Sequence, residues 1–91
     1  VTFKIMELLE EKGALIDYND PLIPRIKQTR KYKKFAGKKS VSLEKLGQYD
    51  LVVILTDHSA YNFEAIVNQS KIIVDTRNSC GNIKSDKIIK A

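Results

Sequence analysis

The chain has one cysteine, one methionine, one histidine, two prolines and four glycines in 91 residues. Each scarcity removes a class of protein. A single cysteine cannot close an internal disulfide, which excludes disulfide-stapled scaffolds and fits a reducing, cytoplasmic setting. His58 and Cys80 alone match no zinc-ligand spacing, so no metal is expected. The glycines (Gly13, Gly37, Gly47 and Gly81) are scattered, leaving neither a dinucleotide fingerprint nor a phosphate loop. There is no run of about 18 apolar residues to span a membrane. No signal-peptide pattern, internal repeat or low-complexity segment is present either.

What is present is the composition of an ordinary globular protein, 43% hydrophobic and 30% charged, which predicts a single domain over residues 1–91. A chain of this length buries roughly 60–70% of the surface its unfolded form exposes, enough for a true core. The net charge of +5 is unevenly placed. Between Asp20 and Glu44 lie Arg25, Lys27, Arg30, Lys31, Lys33, Lys34, Lys38 and Lys39, with no acidic residue and with Tyr32 and Phe35 interleaved. Two readings of this segment stand. It is a solvated connection with a few residues facing an anionic ligand, or it is a small nucleic-acid-binding module in which lysines meet phosphates and aromatics stack on bases.

Hydrophobic spacing orders the rest. Phe3, Ile5, Met6, Leu8 and Leu9 predict an amphipathic helix laid on a sheet, with Gly13 as its left-handed C-terminal residue. A short strand is expected at 15–19, ended by Asp20-Pro21, and irregular chain follows to Lys39. A second short strand at 40–42 and one helical turn at 43–46, capped by Ser42, come next. Leu51-Val52-Val53-Ile54-Leu55 is an unbroken apolar run with three β-branched members, expected as a central strand covered on both faces. Asn62 or Ser59 then caps a helix whose inward stripe is Phe63, Ile66 and Val67. A buried strand at 72–74, a polar turn region at 78–85 and an edge strand at 87–90 complete the chain. The resulting class is α/β, a three-layer Rossmann-like domain with a mainly parallel sheet. Its first helix has no strand before it to complete a βαβ unit, so a domain lacking its first strand, a truncated one, is expected.

Parallel sheets bind ligands outside the carboxyl ends of their strands. Thr56, Asp57 and His58 stand at one such end, and Arg77 at the next. A guanidinium there can grip a phosphate or diphosphate through two parallel hydrogen bonds, or it can form a structural ion pair with Asp75 or Asp57. Asp57 and His58 can act as an acid–base pair, or an Asp or Ser there caps the following helix and the His is simply polar. Cys80 has no base near it in sequence and is assigned no role.

Read together, several segments resemble the nucleotide-sugar dehydrogenase family, particularly the branch acting on UDP-N-acetylglucosamine or UDP-N-acetylmannosamine. They are Lys4-Ile5-Met6-Glu7-Leu8-Leu9, Asp20-Pro21-Leu22-Ile23-Pro24, Thr29-Arg30, Phe35-Ala36-Gly37 with Lys39-Ser40-Val41, and Tyr49-Asp50. Thr56-Asp57-His58-Ser59 and Asp75-Thr76-Arg77-Asn78 complete the series. The resemblance implies the C-terminal UDP-sugar-binding domain of an NAD-dependent 6-dehydrogenase, a homodimer or higher homo-oligomer, that oxidises a C6 alcohol to a carboxylate in two steps. It implies UDP-sugar contacts at Arg77 above all, with Thr56, Asp57 and His58 beside it. The family's nucleophilic cysteine sits in a Gly-Phe-Gly-Gly motif that this chain does not contain, so Cys80 is not its counterpart. No catalytic residue and no NAD site are expected in these 91 residues.

Overall fold

A computed structural model describes residues 2–22, 24–26 and 37–91, with side chains from Lys4 onward. Two compact units are present, residues 1–42 and 43–91.

The first unit opens with helix α1, Thr2–Glu11. It ends where its sequence says it should. Gly13 takes φ +94°, its N–H bonds to Glu10 O at 2.9 Å, and the Ala14 N–H reaches back to Leu9 O at 3.1 Å. This paired closure satisfies the last carbonyls of the helix, and the left-handed backbone it needs is one that glycine alone adopts without a Cβ penalty. Met6 is buried with Ile26, and Ile16 and Tyr18 pack against them; none of these partners belongs to a strand. The Phe3 side chain lies outside the described set.

The strand expected at 15–19 is not formed. Tyr18 O accepts from Val41 N–H (2.8 Å) and the Asn19 amide donates to Val41 O (2.6 Å), but no ladder extends from this pairing. Leu15, at 98% exposure, has nothing to pack against, so the alternation that would hold a strand is missing. The strand expected at 40–42 is likewise absent; Ser40 N–H bonds to Pro24 O and Ser40 Oγ accepts from Asp20 N–H, while Arg25 and Lys39 form one antiparallel bridge. One isolated bridge and a few hydrogen bonds tie the segment without building a sheet.

The second unit carries the sheet. A 3₁₀ helix over Leu43–Gln48, two residues longer than expected, leads into β1, Val52–Ile54. Helix α2, Phe63–Gln69, and the strands β2, Ile73–Asp75, and β3, Ile88–Lys90, follow. The strands run parallel in the order β1-β2-β3, with Ile54 level with Asp75 and Asp75 level with Lys90. The middle strand is therefore β2, and β1 lies at an edge among the described strands, not at the centre. The apolar run that suggested a central strand is exposed at Leu51 and half-buried at Val52 and Val53; only Ile54 is buried. Hydrophobicity measures burial, and ladder position depends on where β3 pairs, which the run itself does not encode.

Of the two candidate caps, Asn62 is the one used; its side-chain oxygen accepts from Ala65 N–H at 3.2 Å. At the other end of α2 the Lys87 ammonium donates to Val67 O (2.9 Å) and Asn68 O (3.3 Å), placing a cation at the negative end of the helix dipole. Ile66 and Val67 face inward with Leu46, Ile54, Ile73 and Cys80, and Phe63 packs against that cluster. Gly47 permits the close approach of the 3₁₀ helix, since a Cβ there would lie 3.2 Å from Gln69 O. The architecture is small α/β, with a parallel three-stranded sheet of Rossmann-like kind. No helix among the described residues is long and apolar enough to cross a membrane.

Candidate functional site

Parallel pairing brings the carboxyl ends of β1 and β2 to the same edge. Because Ile54 is level with Asp75, Thr56 and Arg77 occupy equivalent positions two residues beyond that pair. The two ends are tied together by Thr76, whose N–H (3.2 Å) and hydroxyl (2.6 Å) both donate to Ile54 O. Thr56, Asp57, Thr76, Arg77 and Asn78 are exposed at this edge.

On the β1 side, His58 is half-buried and built into its own turn. Its Nδ1 accepts from Ala60 N–H at 3.0 Å, and the ring meets Tyr61 edge-on with centroids 6.1 Å apart. In the neutral imidazole the proton is therefore on Nε2. Tyr61 continues the contact to Phe63 at 5.8 Å, linking the turn to the start of α2.

On the β2 side, the organising group is Asp75. Its carboxylate is 1% exposed, and it accepts three backbone hydrogen bonds: Arg77 N–H (3.1 Å) and Ser79 N–H (3.0 Å) on Oδ1, and Cys80 N–H (2.9 Å) on Oδ2. Burial works to raise its pKa, but the bonds from Cys80, Ser79 and Arg77 favour the anion and hold it below the ordinary carboxylate value. The sequence reading offered Asp75 only as an ion-pair partner for the Arg77 guanidinium; the bond it makes is to the Arg77 main chain. An aspartate that ends a strand and precedes a Thr-Arg-Asn-Ser turn is an Asx-turn signal, and that was the available clue.

The sign of its effect on stability follows. With a folded pKa below the ordinary 3.8, the unfolded chain takes up the proton first as the solution is acidified. Asp75 thus contributes stability that is fully present at neutral pH and is lost as pH falls below about 4 toward the folded value. Urea midpoints measured from pH 7 to pH 2 should hold level and then drop, and in Asp75→Asn the acid limb should be shallower.

Two further residues complete the loop. Asn78 adopts φ +54°, a left-handed conformation that asparagine tolerates better than most residues. The Lys90 ammonium donates to Asn78 Oδ1 and to Gly81 O, at 2.5 and 2.9 Å. Cys80 is buried in the core; burial first, and then the Asp75 charge and a hydrogen bond to it, push its thiol pKa up, against a smaller opposing effect of Lys90. A thiol so held stays protonated at neutral pH and is no nucleophile.

No group of three or more potential metal ligands occurs among the described residues. Nor do the described residues fit a dinucleotide. The turn after β1, where a fingerprint would cradle a pyrophosphate, has no glycine and holds the His58–Tyr61 contact. Of the basic segment at 25–39, residues 27–36 lie outside the described set. Among the rest, Lys38 pairs with Asp17 at 3.5 Å, and no observation favours nucleic acid.

A parallel sheet with polar strand ends gathered at one edge defines an α/β ligand-binding domain. Residues 1–82 match the UDP-glucose/GDP-mannose dehydrogenase family, UDP binding domain, and the chain belongs to that family. It is thus a UDP-binding domain of the nucleotide-sugar dehydrogenases, an oxidoreductase class. No curated protein and no solved structure matches it.

Proposed function

We propose that this chain is the UDP-sugar-binding domain of an NAD-dependent UDP-N-acetylhexosamine 6-dehydrogenase, and that Arg77 is its principal ligand contact. The observation that carries the reading is the placement of an exposed arginine on a hydrogen-bonded loop at the carboxyl end of a buried parallel strand, in a domain of this family. The guanidinium meets the diphosphate with a charge-assisted, bidentate pair of hydrogen bonds. Thr56, Asp57 and His58, across from it on the β1 end, line the sugar or nucleotide side. NAD and the nucleophile that carries the oxidised sugar belong to the rest of the enzyme, which acts as a homodimer or higher homo-oligomer.

Amide shifts of the labelled chain titrated with UDP and UDP-N-acetylglucosamine test this. Weak binding, on the order of millimolar, with shifts centred on residues 56–59 and 76–78, is expected. Shifts confined to residues 25–39 would place the ligand elsewhere and overturn the site. A second outcome concerns turnover. With NAD and any UDP-sugar the chain alone should form no NADH, as followed by absorbance. Activity that persists through purification and is abolished by Cys80→Ser would refute the division of labour.

A further inference from the structure

The loop after β2 is held from two sides by charged groups. From within, Asp75 takes the N–H groups of Arg77, Ser79 and Cys80. From the exposed side, Lys90 takes the side-chain oxygen of Asn78 and the carbonyl of Gly81. Asp75 and Lys90 are register partners on adjacent strands, so both grips grow from one position of the sheet. Between them the chain passes through two left-handed residues, Asn78 at φ +54° and Gly81 at φ +52°.

We propose that Asp75 and Lys90 are positioning residues, which together fix residues 76–81 in the conformation that presents Arg77 at the mouth of the sheet. The proposal rests on the reading of Arg77 as the diphosphate contact. A long, exposed lysine gains little from immobilisation unless it makes specific bonds, and this one makes two to a single turn. An arginine side chain is flexible, and its bidentate geometry is delivered only if its backbone is stationary. The Arg77 N–H bond to Asp75 fixes the arginine's own backbone, while Lys90 fixes the next residue. Lys90 also lies beyond the residues that match the family, so the family match says nothing of it.

Lys90→Met tests the exposed grip, and it is the variant least apt to disturb folding. In the full chain it should leave the melting temperature within a degree or two. It should speed amide exchange at Arg77 and Gly81, and weaken UDP binding roughly three- to tenfold, with Lys90→Arg restoring part of the loss. Combined with Arg77→Lys, the losses should be less than multiplicative, because both act through one side chain. Asp75→Asn should speed exchange at Arg77, Ser79 and Cys80 together. Unchanged exchange and affinity in Lys90→Met would overturn the proposal, as would multiplicative losses, which would mean that Lys90 acts independently of Arg77. If the wild type binds no UDP while Arg77→Lys behaves identically, the functional reading fails. The grip itself is then judged on exchange alone, where faster exchange at Arg77 and Gly81 upholds it and wild-type rates refute it.

Discussion

Arg77→Lys should lower the affinity for UDP by roughly ten- to hundredfold while leaving the fold intact. The side chain is exposed and packs into no core cluster, so the substitution removes no buried surface. What is lost is the planar fork. Lysine keeps the charge but presents it as a point, with no pair of parallel donors for two phosphate oxygens. A charge-assisted contact of this kind contributes about 1.5–3 kcal/mol, which sets the expected range. Titration of wild type and variant at matched ionic strength gives the ratio directly. A ratio near unity, with unchanged shifts at residues 76–78, would remove Arg77 from the site. The measurement belongs at low salt, since exposed charge pairs are screened over about 10 Å at 0.1 M.

The largest effect on stability is expected at Ile73. It is 0% exposed, in the middle strand, packed with Leu46, Ile54, Ile66, Val67 and Cys80. Ile73→Ala removes three carbons where neighbouring strands on both sides prevent collapse, and should cost about 3–4 kcal/mol. Small domains have only about 0.05–0.15 kcal/mol of stability per residue, so this loss consumes most of what the second unit has. Urea denaturation at 25 °C should show the midpoint falling by more than half. Ile72, one residue earlier and 45% exposed, is the control, and Ile72→Ala should cost no more than about 1 kcal/mol. Equal costs at the two positions would mean that the register of β2 is wrong, since a shift of one residue exchanges the two faces of a strand.

The elements with strong local signals were legible in the sequence. Gly13 closes α1, Asn62 caps α2, Ile66 and Val67 face inward, and the parallel β1–β2 pair ends on the two polar clusters. What was not legible depends on partners distant in sequence. Residues 15–19 have strand-like composition, yet a strand needs a continuous ladder, and the pairing of Tyr18 and Asn19 with Val41 does not extend into one. The order of the sheet is hidden for the same reason: it is fixed by where residues 88–90 pair, more than thirty positions beyond the run at 51–55. At the candidate site, Arg77 stands out by residue type. Asp75 does not, because its role lies in the direction its carboxylate turns. Lys90 is still less visible, being thirteen residues from Arg77 and ordinary in every local respect.

Phosphate-binding turns commonly offer a ring of main-chain amides to an incoming anion. The turn after β2 has such a ring in the N–H groups of Arg77, Ser79 and Cys80, but it arrives with the anion already installed. A free phosphate would have to displace a carboxylate tethered within the same loop. Those three amides are thereby closed to an incoming anion, so an anion that reaches this turn is left to side chains. A turn built this way has no need of the glycines that a cradle of main-chain amides demands.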